Sequence, residues 1–213
     1  MDSNNTNLVS TFLSQLHTQW KICSMTGTAH FALRKAEQDL DQTLAAALDP
    51  IELQRGQGFT NITRRIQWAE GRRCLQIMKN NKNDIKNLTN LSHSGTWVIA
   101  LGVDSHSKIL GVGVDIEPKL KQLPSNAVEF LVSTQEQNLF IEGVNLLNFW
   151  LIKEACFKSD PQPSSSTFLD YQIVSFDFEK QCGKVIGRNG LTFLFFLTEF
   201  DDYRISFAQS LTF

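Results

Sequence analysis

Hydrophobic and polar positions recur with two different periods along the chain. From Phe31 to Leu48, FALRKAEQDLDQTLAAAL carries helical spacing and an Ala/Leu/Gln composition, and Asp49-Pro50 supplies a stop. After a loop with Gly56 and Gly58, Thr60 or Asn61 stands at the N-cap of a second predicted helix, ITRRIQWAEGRRCLQIM. Ile62, Ile66, Cys74 and Ile77 form its apolar stripe, with the arginines off it. KNNKNDIKN then reads as a polar linker. The texture changes at TWVIALGV (96–103) and ILGVGVDI (109–116), two Val/Ile-rich runs separated by DSHSK, which predict a hairpin.

Helical character returns from Ser133 to Phe157, where Leu139, Val144, Leu147, Trp150 and Leu151 recur, with Gly143 as a break. PQPSSST (161–167) is a loop, and YQIVSFDF, LTFLFFLTEF and YRISFAQ predict three strands joined through GRNG and Asp201-Asp202. Helices and a hairpin followed by a helix and a meander predict an α+β fold with a mainly antiparallel sheet, arranged as two half-domains.

Size and charge narrow the classes. A chain of 213 residues with 42% apolar content is long enough for an ordinary buried core. Lys plus Arg total 20 against 22 Asp plus Glu, so the balance offers no electrostatic footprint for general nucleic-acid binding. The start, MDSNNTNLVSTFLSQL, is polar, and no run approaches the ~20 apolar residues of a membrane helix, which predicts a soluble cytoplasmic protein with no membrane partner. Cys23, Cys74, Cys156 and Cys182 are isolated and read as reduced, mostly buried thiols.

Candidate chemistry gathers in three places. In GVGVDIEP (111–118), alternation on a strand sets Asp115 and Glu117 on one face, about 6–7 Å apart, where like charges repel unless a cation intervenes. In FWLIKEACFKSD, Trp150, Glu154 and Lys158 fall at i, i+4 and i+8, stacking a ring, a carboxylate and an ammonium along one helix face. Three acids without His or Cys companions are hard oxygen donors suited to Mg²⁺, which uses few carboxylates plus waters and substrate phosphates. In LTNLSHSGTW, His93 and the hydroxyls of Ser92 and Ser94 offer donors to a phosphate. No G-x-S-x-G elbow accompanies them, which argues against a serine nucleophile.

SHSG at 92–95, GVDIE at 113–117 and WLIKEACFK at 150–158, in this order and spacing, resemble the 4'-phosphopantetheinyl transferases of the longer, monomeric surfactin/enterobactin type. The resemblance spans roughly residues 60 to 210. It implies transfer of the phosphopantetheine arm of coenzyme A to a serine of an apo acyl or peptidyl carrier protein, releasing adenosine 3',5'-bisphosphate. It also implies a pseudo-dimeric fold, with residues 1–108 as the N-terminal half-domain and 109–213 as the half carrying the acids.

By the same resemblance, Asp115, Glu117 and Glu154 match the Mg²⁺ ligands, and Glu154, with Glu117 as the alternative, matches the general base. Lys158 would neutralise the leaving phosphate and contact the coenzyme, as would His93 and Ser92. Arg65 and Arg72, seven residues apart on one helix face, match cations facing the 3'-phosphate. Lys153 and Trp150 also match the motif, and the apolar neighbours of Trp150 suggest packing. A basic or apolar patch beside the cleft is expected for the carrier.

The chain departs from the family pattern in two places. It lacks the Gly-Lys-Pro segment, leaving only Lys82 and Lys86 in KNNKNDIKNLTN, and it has PQPSSST where the family shows a Gly-containing loop. Rival readings are a non-catalytic coenzyme A or carrier-binding module and an Mg²⁺-dependent phosphohydrolase.

Overall fold

The computed structural model describes residues 3–80, 88–104, 107–163, 167–188 and 190–212. Lys82 and Lys86 therefore lie outside the described residues, as do the middle of the DSHSK connection and Ser164 to Ser166. The chain is α+β, built from two antiparallel sheets with helices packed on them. No helix among the described residues is long and apolar enough to cross a membrane.

The first 22 residues, which the sequence pattern left without an element, contain helix α1 (Ser3–Ile22), because Phe12, Leu16 and Trp20 recur every fourth position and are all buried. The helix predicted for 31–48 is replaced in its first half by strand β1 (Ala29–Lys35), and only α2 (Gln42–Ala47) is helical. Both faces of β1 are buried, Phe31 and Leu33 in one core and Ala32 in another, so packing on two sides overrides local helix propensity. The Asp41 carboxylate accepts the Leu44 N–H at 2.7 Å to cap α2. Asp49 does the same for α3 (Pro50–Gln57), which begins with Pro50.

Helix α4 (Ile62–Asn80) forms as predicted, but its buried stripe differs. Ile62 and Ile77 are exposed, while Trp68, Ala69, Cys74 and Met78 are buried. Cys74 and Met78 meet Ala32, Val98 and Ala100, and Trp68 packs with Leu44.

Strands β2 (Leu88–Ser94) and β3 (Trp97–Val103) pair with β1 in the order β1-β3-β2. Strand β4 (Ile109–Pro118) belongs to the second sheet, ordered β4-β8-β7-β6-β5, with β5 (Gln172–Asp177), β6 (Cys182–Ile186), β7 (Thr192–Phe200) and β8 (Tyr203–Leu211). The hairpin expected between 96–103 and 109–116 is therefore not formed. Both edges of β3 are taken by β1 and β2, and β4 pairs instead with β8, Asp115 opposite Ser206. The expected three-stranded meander gains a fourth strand in β6, whose short CGKVI carries too little pattern to be noticed.

One core lies between the sheets and draws on α1, β1, β3, β4, β7 and β8. A second lies on the opposite face of the larger sheet, under α5 (Ala127–Leu131) and α7 (Leu146–Ser159). Between these two helices, a 3-10 turn (Thr134–Glu136) leads into α6 (Gln137–Ile141), which ends near Gly143. Strand β4 divides its residues by the period of two: Val112, Val114 and Ile116 enter the inter-sheet core, while Gly111 and Gly113 face α7. A Cβ at Gly113 would lie 1.9 Å from the Ala155 carbonyl oxygen, and one at Gly111 would lie 2.2 Å from that of Ser159. The two glycines are what lets α7 lie directly on β4.

Candidate active site

The close approach of α7 to β4 brings the three motifs together. Leu91, Ser92, His93, Asp115, Glu117, Trp150, Glu154 and Lys158 line one cleft of about 340 Å³. Strand β2 runs beside β4 and meets it through side chains. The Ser92 hydroxyl donates to Asp115 Oδ1 at 2.9 Å, and the Ser94 hydroxyl donates to Glu117 Oε2 at 2.8 Å. Asn90 Oδ1 accepts the Val114 N–H at 3.2 Å. The two serines thus hold carboxylates, a role the sequence alone did not suggest.

Asp115 is 5% exposed. Lys158 donates to its Oδ1 at 2.7 Å, to Ser92 Oγ at 3.1 Å and to the Val114 carbonyl at 3.2 Å. Asp115 Oδ2 is buried and has no hydrogen-bond partner among the described residues. Glu117 is engaged on its other oxygen by Lys121, whose Nζ also stands 4.6 Å from the centre of the Trp150 ring. Trp150 packs edge-on against Phe168, with ring centres 5.4 Å apart, and also forms a wall of the cleft.

Glu154 makes no hydrogen bond or ion pair among the described residues. Burial, and then the charge of Asp115, push its carboxyl pKa up, while Lys158 and Lys121 only partly offset them. His93 is exposed at the mouth of the cleft. The protein along its inner side, followed by the charges of Lys158 and Arg64, lowers its pKa below the ordinary 6.5.

Between the folded and unfolded pKa of His93, the unfolded chain binds more protons, so stability falls on acidification through about pH 6.5. His93→Gln should lose less stability than the wild type between about pH 7.5 and 5.5 in urea unfolding. An equal loss would show that His93 titrates as in the unfolded chain.

Gly95 closes the SHSG turn with φ +53°, and a Cβ there would fall 2.2 Å from the Tyr203 hydroxyl, so only glycine fits. Gln67 donates to the Gly95 carbonyl at 2.9 Å and ties the turn to α4.

Arg65 and Arg72 do not line the cleft. Arg65 grips Asp39 through two nitrogens, at 2.6 and 2.9 Å, and Arg72 pairs with Glu52 at 3.2 Å and lies over Trp68. Both face α3 and the segment before α2, because seven-residue spacing states that they share a face but not which face. Arg64, which no motif marks, is the helix arginine whose charge reaches His93.

Lys153 is fully buried, as is its partner Glu136, and the two pair at 2.8 Å. Glu136 also accepts the N–H groups of Ser133 at 2.9 Å and Ile173 at 2.7 Å. Lys153 therefore supports the core beneath the cleft. Lys153→Met leaves Glu136 buried without its cation and should cost about 3–5 kcal/mol, with much of the loss recovered in the Glu136→Gln/Lys153→Met double variant. Urea unfolding of the two variants checks this.

A second hollow of about 550 Å³, lined by Phe130, Phe157, Thr167, Phe168 and Leu169, also has Glu154 in its wall. Glu154 thus stands where a polar cleft and an apolar groove meet. The four cysteines are free, three buried and Cys182 half-buried.

Among the described residues, no three His, Cys, Asp or Glu side chains are gathered closely enough to hold a metal ion as they stand. Lysines occupy part of the space, Lys158 on Asp115 and Lys121 on Glu117. The donor set nevertheless fits a hard divalent cation: among the described residues, Asp115 Oδ2 is an orphaned buried acceptor and Glu154 makes no hydrogen bond or ion pair. No family model and no curated protein matches the chain.

Proposed function

We propose that this chain is an Mg²⁺-dependent 4'-phosphopantetheinyl transferase that moves the phosphopantetheine arm of coenzyme A to a serine of an apo carrier protein. The reading is carried by the convergence of SHSG, GVDIE and WLIKEACFK on one cleft, with Asp115, Glu117, Glu154, Lys158 and His93 in its lining. A pseudo-dimeric architecture is supported by the arrangement of two antiparallel sheets, one backed by α4 and one by α7. Residues up to 103 supply the strands of the first sheet and residues from 109 those of the second, although both contribute to the core between them.

In the proposed reaction the carrier serine oxygen attacks the phosphorus that bears pantetheine. The bond to the adenosine-side phosphate breaks, and adenosine 3',5'-bisphosphate leaves. Asp115, Glu117 and Glu154 would hold Mg²⁺, which supplies positive charge to the pyrophosphate. Lys158 neutralises charge gathering on the leaving phosphate, held in position by Ser92 and the Val114 carbonyl. Neutral His93 donates one N–H to a coenzyme phosphate, and Arg64 adds a cation at the same mouth.

Glu154 takes the serine proton. Its carboxylate makes no hydrogen bond or ion pair among the described residues, and it borders the apolar groove through which the pantetheine arm or carrier approaches. Glu117 is the alternative base, but Ser94 and Lys121 already engage both its oxygens. Positioning and charge neutralisation supply most of the catalysis, as phosphoryl transfer generally requires.

Purified protein mixed with Mg²⁺, coenzyme A and apo carrier should add a phosphopantetheine increment to the carrier, read by intact mass. Coenzyme binding without any increment on acyl or peptidyl carriers would favour a binding module. Nucleotide released without carrier would favour hydrolysis.

A further inference from the structure

Three acids and Lys158 line the cleft, and a second lysine, Lys121, reaches Glu117 from outside the lining, so the acids are largely counterbalanced. The two lysines are not equivalent. Lys158 reaches Asp115 from helix α7 and is held by three acceptors. Lys121 sits three residues after β4, where its N–H donates to the Pro118 carbonyl at 2.9 Å, and the turn folds its side chain back to Glu117. It also stands over the face of Trp150, and its charge reaches Glu154. Side-chain exposure is 28% for Lys121 and 17% for Glu117, so the pair is shielded but open at the cleft side.

We propose that Lys121 is a tethered counter-ion that competes with a divalent cation for Glu117 and so sets how much metal the cleft requires. The proposal rests on the reading of Asp115, Glu117 and Glu154 as a metal site. Ser94 holds one Glu117 oxygen and Lys121 the other, so a metal reaching Glu117 has to displace the ammonium. A lysine is suited to this exchange because it is a compact charge on a flexible stem, able to leave without breaking a bidentate lattice of bonds. Its departure also removes a cation from the Trp150 ring, which gives the exchange an optical signature.

The test is Mn²⁺ binding followed by electron paramagnetic resonance, with and without coenzyme A, for the wild type, Lys121→Gln and Lys121→Arg. Lys121→Gln should bind Mn²⁺ about tenfold more tightly, since a divalent ion no longer meets or displaces a unit charge at close range. Lys121→Arg, which keeps the charge, should stay near the wild type. Metal addition should change tryptophan emission in the wild type, and Lys121→Gln and Trp150→Phe should each remove most of that change. Saturable Mn²⁺ binding of equal strength in the wild type and Lys121→Gln would overturn the role of Lys121 and leave the metal site standing. Absence of saturable binding in every variant, even with coenzyme A, would overturn the metal site itself.

Discussion

Glu154→Gln should lose transfer by about a thousandfold, roughly 4 kcal/mol of barrier, while retaining part of its affinity for coenzyme A. The same variant should become more stable. Glu154 has a folded pKa raised above 4.5, so the folded protein holds its proton to higher pH than the unfolded chain does. That contribution to stability is present below the unfolded pKa and is lost as pH rises through the folded one. In the metal-free protein, Glu154→Gln should therefore melt higher than the wild type near about pH 8, and the two should converge towards about pH 4.

Loss of transfer together with a gain in melting temperature separates a functional carboxylate from a structural one, since a structural residue would lose both. Full transfer by Glu154→Gln would remove it as base and as metal ligand. Asp115→Asn should lose transfer to a similar degree, because it gives up the charge that pairs with Lys158 at 2.7 Å and leaves an amide beside a half-buried ammonium.

The second large effect is on packing. Gly113→Ala introduces a Cβ 1.9 Å from the Ala155 carbonyl oxygen and 2.9 Å from the Ser159 nitrogen, both of them backbone atoms that no rotamer change can move. Helix α7 has to lift from β4, loosening the core that holds Leu151, Ile152 and Ala155. A stability loss of about 3 kcal/mol is expected, and transfer should fall further because Glu154 and Lys158 travel with the helix. Gly71→Ala is the contrast. The nearest atoms to its Cβ would be Leu91 and Val98 side-chain atoms, at 3.5 Å and beyond, inside a helix where alanine is favoured, so it should be neutral or mildly stabilising. Urea midpoints of the two variants check the pair, and equal midpoints would show that α7 does not depend on Gly113.

Some of this was legible residue by residue. In GVGVDIE the alternation of two locates Val112, Val114 and Ile116 on one side and Asp115 on the other, because strand geometry imposes that period whatever the strand pairs with. The helix of WLIKEACFK and the break near Gly143 were equally readable from local spacing. Strand β1 was not, since Ala, Leu, Arg and Lys dominate it and favour helix, and only burial on two faces makes it a strand. The partner of β4 was not readable either, because chain neighbours in sequence compete with distant strands and β3 was already paired on both edges. Among the basic residues, the helix period grouped Arg65 with Arg72, yet their acidic partners on α3 and before α2 turned that face away from the cleft and left Arg64 beside His93.

The sequence by itself determined which side chains could do chemistry and which of them share a face, because covalent spacing and backbone period are local properties. Tertiary structure decided their company. Ser92 and Ser94 hold carboxylates, Lys121 covers Glu117, Lys153 is withdrawn into the core, and Glu154 is left half-buried with no hydrogen-bond or ion-pair partner among the described residues. Those outcomes depend on how closely separate elements approach, and at β4 and α7 that distance is set by the absence of a Cβ at Gly111 and Gly113.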